Sequence, residues 1–310
     1  MTDTPTPRWL HRWSLLTVCA TVVLLGLGSA VTNLKAGMAD PVWPTKPTAL
    51  LDSTPEQLQD VRWVVEHSHR LAGYVVGCCA IVLCAWLWLR EPRRWLRWLG
   101  TAALLGVCVQ GVLGGLRVVE NNRWGLEFRI FHGSFAPVVL GLLVTIAVCT
   151  SRAWTASASL ADHLRRASLW ALAAVYGQVV LGVLLRHTYN PLAQRGHLFV
   201  AFVAAVAVVW LVRLSWVSGD RALRVAGVAL ATVLGLQVAL GVEAWMTQLS
   251  HFQLPETLPV TAQRVAVRTT HVLGGALLLS ATLCVAVLAR RNNLSAAQPA
   301  VTGTRLEEAA

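Results

Sequence analysis

Long apolar stretches separated by short polar segments run along the whole chain. A helix needs roughly 20 mostly apolar residues to cross the hydrocarbon core of a membrane, and eight stretches meet that requirement. We number these predicted spans 1 to 8; they cover about residues 14–34, 64–89, 98–119, 130–150, 168–186, 197–215, 225–246 and 268–289. The pattern predicts an all-α polytopic membrane protein with eight transmembrane helices, whose first span is retained rather than removed as a signal peptide.

Composition and charge support this class and give it an orientation. Of the 310 residues, 55% are hydrophobic and only 13% are charged, which is too little charge to cover a soluble protein of this length. With both termini cytoplasmic, the inner segments carry 15 of the 26 basic residues but only 6 of the 15 acidic ones. We therefore expect a multi-pass protein of the cell inner (plasma) membrane, surrounded by lipid. A nucleic-acid partner is excluded, because the +11 net charge belongs to no basic soluble domain.

A short string recurs near the outer ends of the odd-numbered spans. It reads Gln-x-x-Leu-Gly and lies at Gln110–Gly114, Gln178–Gly182 and Gln237–Gly241, with a decayed version at Val22–Gly26. Each even-numbered span then carries a histidine near its start, and these histidines are His69, His132, His197 and His271. The repeat predicts two pseudo-symmetric four-helix bundles, covering residues 1–150 and 151–310, with a disordered cytoplasmic tail from about residue 290.

The four repeated histidines are candidate heme ligands. An ionisable group at membrane depth is costly unless it has a partner, and each of these histidines is predicted within about two turns of the outer start of its span. Neutral imidazole is a common axial ligand of heme iron, and facing helices of a four-helix bundle can supply two. The repeat predicts one heme between His69 and His132 and another between His197 and His271. The alternative is four interfacial histidines that hydrogen-bond between helices.

Two further groups of residues extend this prediction. Two hemes would bring four propionates to the outer surface, where Arg70 and Arg186 lie beside histidines and are predicted to pair with them, unless they are simply solvated. Glu66 precedes His69 by three residues and shares its helix face. A carboxylate beside an iron site suits proton transfer, so the first half is predicted to be the working site. The alternative role for Glu66 is a plain charge partner of the helix N-terminus.

The chain resembles the heme A synthase family over about residues 14–290. The strings that carry the resemblance are Gly28–Thr32, Ala36–Pro44 with its Asp-Pro-x-Trp-Pro end, Glu66-x-x-His69-Arg70, Phe131-His132-Gly133, and His197 and His271 at the remaining ligand positions. One departure is that Lys35–Arg62 contains no cysteine, whereas many bacterial members carry a pair there. The chain therefore resembles the cysteine-free subgroup.

The resemblance implies an oxidoreductase that converts the C8 methyl of heme O to the formyl group of heme A, for terminal oxidase biogenesis. It implies two successive hydroxylations followed by loss of water. The implied roles are substrate heme at His69 and His132, essential chemistry at Glu66, and an electron-passing heme b at His197 and His271. The electron donor, the oxygen source, the oligomeric state and the delivery of heme O, for example by heme O synthase, stay open.

Two other classes of function fit parts of the pattern. A diheme b-type cytochrome that carries electrons between quinone and a partner would use the same four histidines, but it does not account for an acid in one half only. A repeat-built transporter predicts charged groups near the bilayer midplane. The charges here cluster at the outer end, which makes the transporter the weaker alternative.

Overall fold

A computed structural model describes residues 8–155, 162–188, 190–249 and 260–291 of this chain. Two short helices, Pro55–Gln59 and Arg152–Thr155, accompany the long ones, and the described residues contain no strand. The eight long helices, α1 to α8 in chain order, are Arg8–Asn33, Val61–Arg90, Arg94–Val119, Asn121–Cys149, Asp162–Thr188, Pro191–Val217, Arg221–Leu249 and Ala262–Leu288. All eight are long and apolar enough to cross a membrane, which confirms the predicted spans and the multi-pass class.

The helices extend beyond the predicted spans, most of all at the start of α4, which begins at Asn121 rather than near residue 130. Polar residues continue a helix past the hydrocarbon because its backbone hydrogen bonds are made internally. Counted from the observed helix starts, most of the histidines therefore lie further along than the predicted two turns. His69, His132 and His271 lie eight, eleven and nine residues after the first residue of their helices, and only His197 lies within two turns.

The long helices pack as two closed rings of four. In the first ring α1 packs on α2, α2 on α3, α3 on α4, and α4 returns to α1; α5 to α8 repeat this order. The two rings meet along a seam in which α8 contacts α1 and α4, while α4 also contacts α5. This arrangement confirms the predicted pair of four-helix bundles.

The apolar cores of both bundles lie toward one end. We call the other end, where α1, α3, α5 and α7 finish and their partners begin, the histidine end. In the first bundle Leu83, Leu87 and Leu143 belong to a buried cluster away from that end, and Ala171 and Leu211 do so in the second. At the histidine end the packing is instead built from glycines, histidines and polar side chains.

Tryptophans mark the membrane interface opposite the histidine end. They are the exposed side chains of Trp9, Trp88, Trp98, Trp170 and Trp216, each near the end of a helix. Arg12 lies 4.9 Å from the ring centre of Trp9 and Arg97 lies 6.0 Å from that of Trp88. Such an amphipathic belt is typical of helix ends at the lipid headgroups. The predicted tail beyond Arg291 lies outside the described residues.

Candidate functional site: two paired-histidine sites

The starts of the histidine-bearing helices set the depth of each histidine. Asp60, Asn190 and Thr261 precede α2, α6 and α8, and each side chain accepts a hydrogen bond from a backbone N–H in the first turn. Such caps satisfy donors that the helix itself cannot pair. The fourth helix, α4, begins without a capping side chain and contains one non-helical residue, Trp124 (φ −129°, ψ 16°).

Each of the four histidine rings packs edge-on against a glycine of the preceding long helix. A Cβ atom on that glycine would lie 2.8 to 3.3 Å from the ring Cε1, closer than normal van der Waals contact. The four pairs are Gly28 with His69, Gly114 with His132, Gly182 with His197, and Gly241 with His271. The repeated glycine therefore leaves room for an imidazole ring, and the same contact occurs four times.

This geometry corrects the repeat predicted in span 1. The decayed string ends at Gly26, where a Cβ atom would lie 3.8 Å from Leu273 of α8 and would meet no histidine. The true counterpart is Gly28, two residues later, so Leu24 takes the position that a glutamine holds in the other three strings. The sequence match misplaced the register because Leu, Val and Gly are common throughout a membrane helix.

The ring nitrogens of His69 are differentiated by a backbone contact. Its Nδ1 lies 3.1 Å from the Leu24 carbonyl oxygen, which can only accept, so Nδ1 carries the hydrogen and Nε2 carries the lone pair. In the other three repeats Nδ1 is buried without a hydrogen bond of normal length. The Gln178 side-chain nitrogen lies 3.3 Å from His197 Nε2. This distance fits an amide N–H that donates to a lone pair on Nε2 of His197.

The histidines come together in pairs, one pair per bundle. The ring centres of His197 and His271 are 6.4 Å apart, with the ring planes at 82°. In the first bundle His132 lies within electrostatic range of His69. The predicted pairing of spans 2 with 4 and 6 with 8 therefore matches the side chains that the structure brings together.

Glu66 belongs to a buried polar cluster on α2 that includes residues not anticipated from the sequence. Its Oε2 accepts a hydrogen bond from the Asp40 backbone N–H at 3.0 Å, and its Oε1 accepts one from Arg70 at 2.9 Å. His67 is 2% exposed, stacks on Trp63, and places Nε2 3.2 Å from the Asp40 carboxylate. Asp40 opens the Asp-Pro-x-Trp-Pro string, which was the available signal for this cluster.

Arg70 binds the first loop at the histidine end. Its guanidinium donates to the carbonyl oxygens of Asp40 and Val42, each at 2.7 Å, and reaches the Asp40 carboxylate and the Thr45 hydroxyl at 3.3 Å. Together with Glu66, these acceptors bind the Arg70 guanidinium to the first loop. A propionate would therefore meet Arg70 already surrounded by acceptors.

The same loop docks on α3. Arg117 donates to the Gly37 carbonyl oxygen at 3.0 Å and its guanidinium occupies the position that a Gly37 side chain would take, and the Trp43 ring packs on Gly115. Neither glycine has room for a Cβ atom. The loop thus covers the histidine end of the first bundle, held by α2 and α3.

Arg186 crosses the seam between the bundles. It lies at the end of α5 and donates from Nη2 to the Ser29 carbonyl oxygen of α1 at 2.8 Å. Ser29 follows Gly28, the glycine that contacts His69. Arg186 belongs to the second bundle by sequence, but its side chain contacts the first bundle.

Neither cysteines nor a bare metal cluster contributes to these sites. All seven cysteines fall within the described ranges and are free, and none lies in the first loop. In the part of the chain that the structure describes, no three His, Cys, Asp or Glu side chains are grouped as a metal site. A pair of histidines is enough to hold a metal cofactor that brings its own equatorial ligands.

The fold and the sites define a class: a polytopic membrane protein of two four-helix bundles, each with a buried histidine pair at the same end. Comparison with known proteins identifies the family. Residues 54–196 match the family model described as cytochrome oxidase assembly protein, a range that includes Glu66, His69 and His132 and ends just before His197.

Curated relatives agree with that match. The heme A synthase of Listeria monocytogenes is 30% identical, over 67% of this chain and 75% of the relative. That of Alkalihalophilus pseudofirmus is 26% identical, over 60% of this chain and 63% of the relative. This chain belongs to the heme A synthase family.

Proposed function

We propose that this protein is a heme A synthase, which oxidises the C8 methyl of heme O to the formyl group of heme A. The observation that carries the proposal is the histidine pair in each bundle, combined with the Glu66 cluster in the first bundle only. Membership of the family supports the reaction. In this proposal residues 1–150 hold the substrate and residues 151–310 hold a heme b.

The histidine geometry fits heme. Two imidazole nitrogens bound at about 2 Å on opposite faces of one iron hold their ring centres roughly 6 Å apart. The rings of His197 and His271 are 6.4 Å apart. The free lone pair on Nε2 of His69, set by the Nδ1 contact to Leu24, is the donor that iron would need. Gln110, Gln178 and Gln237 each lie four residues before a glycine that contacts a histidine ring, and their side-chain oxygens are buried.

The chain's own residues divide the work. His69 and His132 orient the substrate heme, whose two hydroxylations at the methyl give a geminal diol that loses water to form the aldehyde. Glu66 lies three residues before His69, where its carboxylate holds Arg70 and the first loop over the site and keeps a buried negative charge nearby. His197 and His271 hold heme b, which supplies one-electron chemistry when bound.

The direct test is conversion of supplied heme O. The full-length protein, purified from membranes, is incubated with heme O and an electron source, and its extracted pigments are separated. We expect the hydroxymethyl heme and then heme A to accumulate. Two equivalent low-spin hemes without any oxidised product would instead support a diheme b-type cytochrome and contradict the proposal.

The glycine–histidine contact makes a prediction about ligation. Gly28→Ala places a Cβ atom 2.8 Å from Cε1 and 3.2 Å from Nδ1 of His69, so the ring must move and its bond to Leu24 weakens. We expect this variant to lose the first-bundle heme selectively, measured as heme per protein. Gly73→Ala on α2 is the matched control, because no atom lies within 4 Å of its new Cβ. Equal heme content in both variants would contradict the role of the contact.

A further inference from the structure

One turn beyond His132, toward the histidine end, basic side chains from three helices converge. Arg117 lies three residues after Gly114, the glycine of α3 that contacts the His132 ring. Arg129 lies three residues before His132 on α4, and helix residues three apart share a face. Each of these two steps leads outward from the histidine layer by about one turn.

The third side chain comes from the other bundle. At the seam, a Cβ on Gly133 of α4 would lie 3.3 Å from Val183 of α5, and the Tyr176 hydroxyl donates to the Ser134 carbonyl oxygen at 3.4 Å. Since α4 begins and α5 ends at the histidine end, one turn outward from this contact is Arg129 on α4 and His187 on α5.

Charge interactions agree with this placement. His187 lies within electrostatic range of Arg186, Arg129 and Arg117. His132 lies within range of Arg117 and His187. Among the described residues neither arginine forms an ion pair: Arg117 bonds the Gly37 carbonyl oxygen, and Arg129 bonds the Gly125 carbonyl oxygen at 2.9 Å. Glu66, the carboxylate that interacts electrostatically with Arg117, is already paired with Arg70. Positive charge of this kind at a membrane boundary favours an anionic ligand.

The second bundle does not repeat the cluster. Counted from the equivalent glycines, the position of Arg117 on α7 is Ala244 and the position of His187 on α1 is Asn33. Asn33 is engaged with Thr269 through a hydrogen bond of 2.9 Å. Only Arg129 has a basic counterpart, Arg268. Among the residues that the structure describes, the basic cluster is therefore found at the first site alone.

We propose that Arg117, Arg129 and His187 form a carboxylate-binding subsite that takes the propionate edge of the tetrapyrrole held at His69 and His132. The inference rests on the proposed function for the identity of that site. It also means that the first site is completed by α5, a helix of the second bundle. Arg70, predicted from the sequence for this role, is instead paired with Asp40 and Glu66. Arg186, also predicted for it, donates to the Ser29 carbonyl oxygen and lies beside His187.

The test compares a porphyrin with and without free carboxylates. The full chain carrying His197→Ala, which leaves only the first pair, is freed of its retained heme and titrated with hemin and with hemin dimethyl ester while the Soret band is recorded. We expect Arg117→Gln to weaken hemin binding about tenfold and His187→Phe about fivefold, the range for lost charged and neutral hydrogen bonds. The Kd of the ester should change little.

Arg123→Gln is the matched control, since Arg123 is exposed on α4, six residues before Arg129. Equal weakening of both ligands would show a general fault in folding and overturn the subsite, as would an unchanged Kd for hemin. The outcome of this binding test does not depend on whether the protein oxidises heme O. A protein that discriminates hemin from its ester but never oxidises heme O would retain the subsite and lose the synthase assignment.

Discussion

Replacing His197 with alanine is expected to remove one heme from the purified protein and to leave the other in place. The two bundles close as separate rings, and each histidine pair lies within its own ring. Loss of one imidazole therefore removes one of the two bonds between the protein and one iron only. We expect heme per protein, measured as the pyridine hemochrome, to fall by about half, while His69→Ala produces the same loss from the other bundle.

The pigments left behind distinguish the two variants. In the proposed assignment His197→Ala retains the substrate-type heme, and His69→Ala retains heme b. His163→Ala is the control, because His163 is exposed and belongs to no repeat. Loss of both hemes from either variant, with the protein still folded, would contradict two independent sites.

Glu66→Gln is expected to stop heme A formation without removing either heme. The glutamine keeps the shape of the side chain and one acceptor oxygen, but it removes a negative charge that is 3% exposed and paired with Arg70. Loss of a group acting in proton transfer typically slows a reaction by about 100-fold or more. We expect heme O, or its hydroxymethyl form, to accumulate with normal heme content.

Glu243→Gln provides the matched control, a carboxylate near the histidine end of α7 in the second bundle. Protease cleavage of the first loop separates two roles for Glu66. Unchanged cleavage with lost activity supports a role in the chemistry, whereas faster cleavage shows that Glu66 acts by holding Asp40 and the loop. Loss of heme from Glu66→Gln would contradict the prediction and make the residue structural.

The eight membrane spans and the histidine repeat could both be predicted from the sequence. An apolar run of about 20 residues is long enough to cross a membrane as a helix. A helix forms there because it pairs every backbone polar group within the lipid. All eight spans were found this way, with ends short by up to nine residues at α4. The four histidines were recognisable because they recur once per helix pair, and that spacing needs no knowledge of packing.

What only the tertiary structure decided is which side chains meet. The predicted register of the first repeat was wrong by two residues. Gly26 and Gly28 are the same residue type and lie in similar sequence, so only their neighbours in the structure distinguish them. Arg70 proved to be bound to the loop, Asp40 and His67 lie beside Glu66, and His187 of α5 lies within electrostatic range of His132. A helix pattern determines the level and face of a residue within its own helix. Contacts across a seam depend on how two bundles pack, and local sequence does not encode that packing.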